Sequence, residues 1–408
     1  MTLRPGGAAQ STRGRLLAAF AVAHFAHHVT NSIFSALLPF IRTSFGLSYL
    51  EAGFAVSAFT IASGVTNAPL GIVADRLGAR RVIVSGLVLI ALSSVAIGLA
   101  NTYWQLVLFL LVMGVASGTY HAPASALIAE VFGRERRGIA MGTHTTAGHL
   151  SFFVVPLLAG AFASASSWRS PYLLFAIAPL ACALLVWRVA PRGTRAAERH
   201  SWLATFADIA GVARAIGPLV LLSILAQVLL SAAFAYLTLY LVDARGFSPL
   251  IAAGLYGLPQ AAGLVGAPLG GTLSDRFGRP RVLLAGLVLM GPAAWALTVA
   301  PDWWIVIPLF VLGIGQAMRT TTTEVLVVDS APAAKRSTIL GTYYLVNQPV
   351  GGVAAPVFGA VAEVAGLGPT FAGLALAFVA LSVVALAAMG AARRRGARST
   401  FGATSVQL

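Results

Sequence analysis

The stretch 71–89, GIVADRLGARRVIVSGLVL, recurs at 271–289 as GTLSDRFGRPRVLLAGLVL. At an offset of 200 residues the two copies share Gly71, Asp75, Arg76, Gly78, Arg81, Val82, Gly86, Leu87, Val88 and Leu89. At an offset of 199, four further residues of the first half recur as Gly313, Arg336, Gly341 and Gly359. A similarity of this length at a fixed offset indicates an internal repeat, so the chain consists of two related halves.

The composition is that of an integral membrane protein. Of the 408 residues, 58% are hydrophobic and 10% are charged, and long apolar runs recur from end to end. A helical run of about 18 or more apolar residues is long enough to cross the hydrocarbon core of a bilayer. The runs predict twelve transmembrane spans, at 16–41, 49–72, 82–100, 104–130, 138–164, 171–190, 215–242, 250–272, 282–300, 303–330, 337–363 and 368–390.

The predicted fold is an all-α membrane bundle made of two parallel six-helix repeats. An even number of spans separates the two copies of the repeat, so both halves have the same orientation and are related by an axis along the membrane normal. The predicted domains are 1–190 as the N-terminal half, 191–214 as a cytoplasmic linker, 215–390 as the C-terminal half and 391–408 as a basic cytoplasmic tail.

The distribution of basic residues predicts the orientation. Of the 27 Lys and Arg residues, all but Arg42, Arg169, Arg245 and Arg319 fall on one predicted side of the membrane. Because positively charged loops stay in the cytoplasm, both termini are predicted to be cytoplasmic, in the inner (cytoplasmic) membrane. The net charge of +15 is spread over short loops, so we predict the lipid bilayer, and no nucleic acid, as its partner.

Span 1 has a polar face. In HFAHHVTNSIFSALLPF, residues 24–40, a helix would place His24, His27, His28 and Asn31 at i, i+3, i+4 and i+7. Ionisable residues inside a bilayer are costly and usually face a cavity or a partner. Three interpretations are open: metal ligands, packing with a structural hydrogen bond, or a site for a solute and protons.

Depth in the membrane favours the solute and proton site. Counted from the predicted cytoplasmic helix ends at about 1.5 Å per residue, His27, His121, His149 and Arg319 lie about 13–16 Å deep, near the middle of a core about 30 Å thick. Transporters built from repeats bind their solutes at that depth.

The metal alternative is a membrane di-iron oxygenase or desaturase, whose H-x-x-H-H boxes HFAHH resembles. Such enzymes bind iron through several histidine boxes. Outside span 1 the chain contains only His121, His144, His149 and His200, which form no second box. We therefore predict no metal, no cofactor and no enzymatic activity.

Span 10 has a second polar face. In GQAMRTTTTEVLVVD, residues 315–329, Arg319, Thr320 and Glu324 fall on one side of the helix, and Gln227 of span 7 lies at a similar depth. Arg319 can bind a carboxylate or phosphonate bidentately, which predicts an anionic or zwitterionic solute. A structural pair between Arg319 and Glu324 is the open alternative. The predicted solute and proton site comprises His24, His27, His28, Asn31, His121, His149, Gln227, Arg319, Thr320 and Glu324.

GIVADRLGARR resembles the loop motif G-x-x-x-D-R-x-G-R-[RK] of the major facilitator superfamily, and its second copy GTLSDRFGRPR resembles it too. The resemblance implies the major facilitator fold, a central cavity lined by spans 1, 4, 7 and 10, and a cytoplasmic gate closed by charge contacts of the loops. Ala79 stands where the motif usually has an arginine. The implied gating residues, with the arginines at the neighbouring helix ends, are Asp75, Arg76, Arg137, Asp275, Arg276 and Arg336.

Within that family, the segment 118–150 and the H-x-x-H-H-x-x-N pattern of span 1 resemble the fosmidomycin-resistance branch of drug exporters. AGHLSFFVVPLLAG, residues 147–160, is similar to the antiporter motif of span 5, with Val155 replacing the glycine before Pro156. We predict a monomeric secondary transporter that exports a small anionic, zwitterionic or amphiphilic solute by alternating access, coupled to protons. Proton-coupled uptake of a small organic anion is the alternative.

Overall fold

The structure is a computed structural model that describes the backbone of residues 7–191, 202–331 and 336–404. Within these ranges it describes the side chains except at 7–12, 68, 129, 133–138, 202–209, 336–338, 341, 348 and 391–404. Residues 192–201 of the predicted linker, the side chains of 202–209 and those of the predicted tail therefore lie outside the described part of the chain, whereas the backbone of 202–214 is described as part of a long helix.

The described residues form helices and no strand. The helices are α1 (Gly7–Val29), α2 (Phe34–Phe45), α3 (Tyr49–Leu77), α4 (Ala79–Gly98), α5 (Tyr103–Ser117), α6 (His121–Ala165), α7 (Arg169–Phe175), α8 (Ile177–Val189), α9 (Trp202–Leu239), α10 (Pro249–Phe277), α11 (Arg279–Val299), α12 (Val306–Ser330), α13 (Arg336–Ala365) and α14 (Leu367–Thr404). A π-helical turn, Tyr240–Ala244, continues α9, and a short 3₁₀ helix, Asp302–Ile305, precedes α12. The predicted all-α fold is confirmed.

Within the described residues, ten helices are long and apolar enough to cross a membrane, and there are eleven if the bent helix α3 counts as one span. They correspond to the predicted spans 2 to 12. The bend in α3 measures 50° and separates Tyr49–Asn67 from Pro69–Leu77, since a proline inside a helix removes a backbone donor and kinks the axis.

The predicted span 1 is not one continuous helix. α1 ends at Val29 and α2 begins at Phe34, and Thr30, Asn31 and Ser32 lie in the turn between them. Side chains of these types hydrogen-bond nearby backbone groups and so compete with helical bonding. The prediction that Asn31 continues the helical face of the histidines is therefore wrong, although Asn31 still reaches their neighbourhood.

Contacts between residues divide the chain into two compact units. The first unit comprises Met1–Ser201, Ser231–Gln260 and Gly341–Leu367, and the second comprises Trp202–Leu230, Ala261–Leu340 and Gly368–Leu408. In the first unit α1 packs against α6 and α8 around an apolar core that includes Phe20, Ile83 and Val186. In the second unit α11 packs along α12.

A repeated glycine allows close helix packing in each half. A Cβ atom at Gly86 of α4 would overlap the hydroxyl oxygen of Thr119, which follows α5. At the equivalent position of the second half, a Cβ atom at Gly286 of α11 would lie 2.9 Å from the carbonyl oxygen of Gly315 in α12. Small residues at such crossings let helix backbones approach in a membrane, which gives a physical reason for the repeat at this position.

Candidate functional site

Five imidazole rings of the first unit lie together, and we call them the histidine cluster: His24, His27 and His28 of α1 with His121 and His144 of α6. His24 stacks on His144 with 4.1 Å between ring centroids and lies 4.9 Å from His28. His121 stands edge-on to His24 at 5.3 Å and to His27 at 4.9 Å. The structure thus brings together His24, His27, His28 and His121, which the sequence predicted as site residues.

If the rings of His24 and His28 are neutral, two hydrogen bonds define which nitrogen of each ring carries the proton. His24 Nδ1 lies 2.7 Å from the main-chain carbonyl oxygen of His144, and because a carbonyl only accepts, Nδ1 is the donor. His24 Nε2 is then an acceptor, and His28 Nε2, 3.2 Å away, donates to it. The remaining lone pair of His28 therefore lies on Nδ1.

A second chain of hydrogen bonds links the turn after α1 to the cluster. The side-chain amide of Asn31 donates to Ser117 Oγ over 3.3 Å, and Ser117 Oγ lies 3.3 Å from His27 Nε2. His27 Nδ1, His28 Nδ1 and Asn31 Oδ1 are buried and have no hydrogen-bond partner among the described residues. Buried polar atoms are nearly always hydrogen-bonded in folded proteins, so these three atoms mark a place where a polar ligand or solvent can bind.

Tyr120 and His144 support α1. The hydroxyl of Tyr120 donates to the carbonyl oxygen of Phe20 over 3.0 Å, and His144 Nδ1 lies 3.2 Å from the same oxygen. Tyr120 and Ser117 were not among the predicted site residues. Ser117 precedes His121 by four residues, and this helical spacing could have identified it as a site residue. A tyrosine in an apolar span, by contrast, is typical of packing.

His149, which was also predicted, contacts a side chain from the other half of the sequence. Gln260 of α10 lies close enough to the His149 ring to interact with it, and both residues belong to the first unit. Gln260 was not predicted, because a single glutamine in span 8 has no local pattern that relates it to span 5.

Arg319 of α12 is fully buried in the second unit and holds α9 through a fork of hydrogen bonds. Its NH1 group donates to the main-chain oxygen of Ser223 over 2.9 Å and to Ser223 Oγ over 2.7 Å. Its NH2 group donates to Gln227 Oε1 over 2.7 Å and to Thr320 Oγ1 over 3.0 Å. The structure therefore brings Arg319, Thr320 and Gln227 together and adds Ser223, while Glu324 lies half-buried on the same helix.

The second copy of the loop motif contains an ion-pair network around Arg279. Arg279 pairs with Asp275, donates to Ser274 Oγ over 2.7 Å, and reaches Asp329 Oδ2 at 3.3 Å. The described partner of Asp275 is thus Arg279, and Arg276 lies exposed over the ring of Phe277.

In the first copy the position of Arg279 is occupied by Ala79. Asp75 and Arg76 are exposed, and no ion pair joins either of them to another described side chain. Charged side chains of both copies lie at the predicted positions, yet the arginine that bridges two acids is present only in the second. The side chains of Arg137 and Arg336 lie outside the described residues, so their predicted gating role stays a prediction.

At the predicted extracytoplasmic ends, the first unit contains a group of contacts that we call the outer contact zone: Arg42, Tyr49, Tyr236, Asp243 and Glu363. Arg42 and the Tyr49 hydroxyl reach the same carboxylate oxygen of Asp243, at 3.1 and 2.9 Å. The backbone N–H of Tyr49, at the start of α3, donates to Glu363 over 2.7 Å, and the hydroxyl of Tyr236 donates to the main-chain oxygen of Tyr49 over 2.7 Å. No pattern in the sequence predicts this zone.

Comparison with known proteins shows similarity to membrane transporters. The model of the family described as Major Facilitator Superfamily matches residues 20–356 and 261–405. A protein named Multidrug resistance protein MdtG from Enterobacter lignolyticus (strain SCF1) is 26% identical over 353 residues, which cover 81% of this chain and 82% of the relative. The protein of the same name from Serratia proteamaculans (strain 568) is 25% identical over 353 residues, covering 81% and 83%.

Two solved structures show the same fold at low identity. The nucleoside transporter NupG has a TM-score of 0.75 and 17% identity, with 91% of this chain and 98% of that chain covered. A bacterial homologue of the human lysosomal transporter Spinster, in an inward-facing and unoccupied conformation, has a TM-score of 0.74 and 18% identity, with 92% and 95% covered.

Proposed function

Because the chain belongs to the major facilitator superfamily and is therefore a multi-pass membrane transporter, we propose that it exports small organic solutes across the cytoplasmic membrane by alternating access. Family membership contradicts the alternative of a membrane di-iron enzyme, whose fold is different. The relatives named as multidrug resistance proteins support export as the direction and drug-like molecules as the solutes.

The observation that supports the solute site best is the set of three buried polar atoms in and beside the histidine cluster. His27 Nδ1, His28 Nδ1 and Asn31 Oδ1 can each exchange a hydrogen bond with a bound molecule, and no described side chain competes for them. In the second unit, the guanidinium of Arg319 offers a positive charge beside the polar groups of Gln227 and Thr320. Groups of this kind favour an anionic, zwitterionic or amphiphilic solute.

Protons are the proposed driving ion. Histidine is the side chain that changes charge near neutral pH, and six of the seven histidines of the chain lie on α1 and α6 of the first unit. Glu324 on α12 is a second group that can exchange a proton during the cycle. Proton entry from one side and release to the other would couple the gradient to solute export.

The outer contact zone supports alternating access. In this structure, the ion pair of Arg42 with Asp243 and several hydrogen bonds join the predicted extracytoplasmic ends of α2 and α3 to those of α9 and α13. These contacts would have to break for a solute to leave on that side. An exporter would take up its solute from the cytoplasm while the outer end is closed by such contacts.

The test is transport by purified protein reconstituted into vesicles, with an imposed pH gradient and a labelled panel of organic anions, phosphonates and drugs. We expect gradient-driven movement of at least one solute class. The variants His28→Ala and Asn31→Leu should each reduce that flux by about tenfold, the effect of losing roughly 1.4 kcal/mol of hydrogen bonding to the solute.

His200→Ala, in the predicted linker, is the matched histidine control and should transport like the wild type. Movement of solute in the same direction as the protons would assign uptake in place of export. A wild-type flux in both His28→Ala and Asn31→Leu would refute the proposed site.

The proposed arrangement in the cell is a monomer in the inner membrane with both termini in the cytoplasm. The bias of basic residues towards one predicted face supports this orientation. Reporter fusions to the two termini would test it, and activity of either reporter on the outer face would contradict it.

A further inference from the structure

Three histidines of the cluster have the geometry of a metal site. The ligand nitrogens of His24, His28 and His121 all lie within 4.8 Å of one another. His24 and His28 are one helical turn apart on α1, and His121 comes from the first turn of α6. We propose that these three side chains bind one divalent transition-metal ion of the Zn²⁺ class.

The separation of the first two ligands already suits a shared ion. His24 Nε2 and His28 Nε2 are 3.2 Å apart. Two nitrogens bound to tetrahedral zinc at about 2.0–2.1 Å are separated by roughly 3.3–3.4 Å, so the distance between these two nitrogens already matches, and the rings must turn their lone pairs from each other towards a common ion. His121 must move its nitrogen inward, and it lies half-buried at the end of a helix, where its side chain can rotate.

The hydrogen bonds orient the ligand atoms for a metal. The Nδ1–H group of His24 donates to the carbonyl oxygen of His144 over 2.7 Å, which leaves Nε2 of the neutral ring as the atom that can bind an ion. A backbone carbonyl that accepts a hydrogen bond from the other ring nitrogen is one of the usual partners of a metal-bound histidine. When the ion binds, the proton on His28 Nε2 must leave that atom, and His28 Nδ1, buried and without a described partner, is free to receive it. Both rings then stay neutral, and no net proton is released.

The donor set indicates which ions fit. Three neutral imidazole nitrogens suit zinc, cobalt, nickel and copper, whereas magnesium and calcium prefer oxygen ligands. Three protein ligands leave one tetrahedral position open for water or another small donor. Bound metal would also tie α1 to α6, so it should stabilise the first unit against unfolding. The proposal does not depend on the direction or the solute of transport.

The experiment is metal titration of the full-length protein, purified in detergent with an affinity tag that contains no histidine. Zn²⁺ binding is measured by calorimetry, and Co²⁺ binding by visible absorption, whose intensity distinguishes tetrahedral from octahedral coordination. We expect one equivalent of either metal, a tetrahedral cobalt spectrum and a higher unfolding temperature with metal.

Two variants should weaken metal binding by about tenfold or more, since even the loss of a group that only orients a ligand has an effect of that size. His121→Asn removes a ligand. Gly148→Ala removes none, but its Cβ atom would lie 2.5 Å from His24 Cε1 and 2.8 Å from Nδ1, and so would displace the His24 ring.

His200→Ala, in the predicted linker and outside the three ligands, is the matched histidine control and should bind metal like the wild type. Equal metal binding by wild type and His121→Asn, or an octahedral cobalt spectrum, would overturn the proposal. Either result would assign the metal to adventitious binding at other side chains. Because binding is measured without transport, a failure here leaves the proposed function untouched, and loss of transport leaves this site untouched.

Discussion

Replacing Arg319 by lysine is expected to reduce transport by about a hundredfold. Arg319 donates four hydrogen bonds from the two ends of a planar fork, two to Ser223 and one each to Gln227 and Thr320. A lysine ammonium is a single point on a flexible stem and cannot reach acceptors on both sides of that fork. Loss of two such bonds to a charged group amounts to about 3 kcal/mol, which corresponds to roughly a hundredfold in rate.

The expected loss depends on the position of Arg319 and not on the general effect of lysine. Arg188→Lys changes an exposed arginine at the end of α8 and should leave the flux unchanged. Gln227→Leu removes one acceptor from the fork and should give a smaller loss, of about tenfold. All three variants are compared at equal amounts of folded protein, judged by gel filtration and thermal unfolding. Wild-type flux in Arg319→Lys would show that the fork is dispensable.

The features that the sequence predicted correctly depend on patterns within one segment or on the repeat. Long apolar runs predicted the helices, and helical spacing predicted that His24, His27 and His28 share a face. The repeat identified Gly86 and Gly286, which turn out to lie at close helix crossings. In each case a short stretch of chain contains all the information that the prediction needs.

The features that the sequence missed depend on which distant segments meet. Arg42 and Asp243 are 201 positions apart, and nothing in either segment indicates the other. Ser223 and Arg319 are separated by 96 positions, and Ser223 reads as an isolated hydroxyl in an apolar span. The break after α1 could have been predicted locally, because Thr30, Asn31 and Ser32 are three consecutive residues that compete with helical hydrogen bonding. The apolar residues on both sides outweighed that signal in the prediction of span 1.

A single difference between the two copies of the loop motif, Ala79 in the first and Arg279 in the second, changes the ion pairs that each copy forms. The repeat predicted equivalent roles for Asp75 and Asp275, but Arg279 bridges Asp275 and Asp329, and Ala79 cannot form such a bridge. Exposed ion pairs contribute only about 0–1 kcal/mol each, so the difference between the two copies has little effect on the stability of the fold.

Replacing Gly359 by alanine is expected to prevent the outer contact zone from closing and to reduce transport by about tenfold or more. A Cβ atom at this position of α13 would overlap the hydroxyl of Tyr236 and lie 2.5 Å from the main-chain oxygen of Tyr49. Those two groups are hydrogen-bonded to each other at 2.7 Å, so the added carbon must separate them. Loss of one such bond and its packing amounts to roughly 1–2 kcal/mol, and a carrier that cannot close one end cannot complete its cycle.

Labelling of a single cysteine distinguishes a failure to close from misfolding. Cys182→Ser removes the native thiol, and Ser57→Cys then introduces one at a buried position of α3, beside the carbonyl oxygen of Gly352 in α13. We expect this thiol to resist a membrane-impermeant maleimide in the parent and to react in Gly359→Ala. Gly373→Ala is the matched control, because a Cβ atom at that helical glycine meets nothing within 4 Å, and it should keep both the protection and the flux. Protection and transport that are unchanged in Gly359→Ala would mean that the contacts of Tyr236 with Tyr49 are not part of the gate, whereas reactivity without transport would identify their closure as a required step of the cycle.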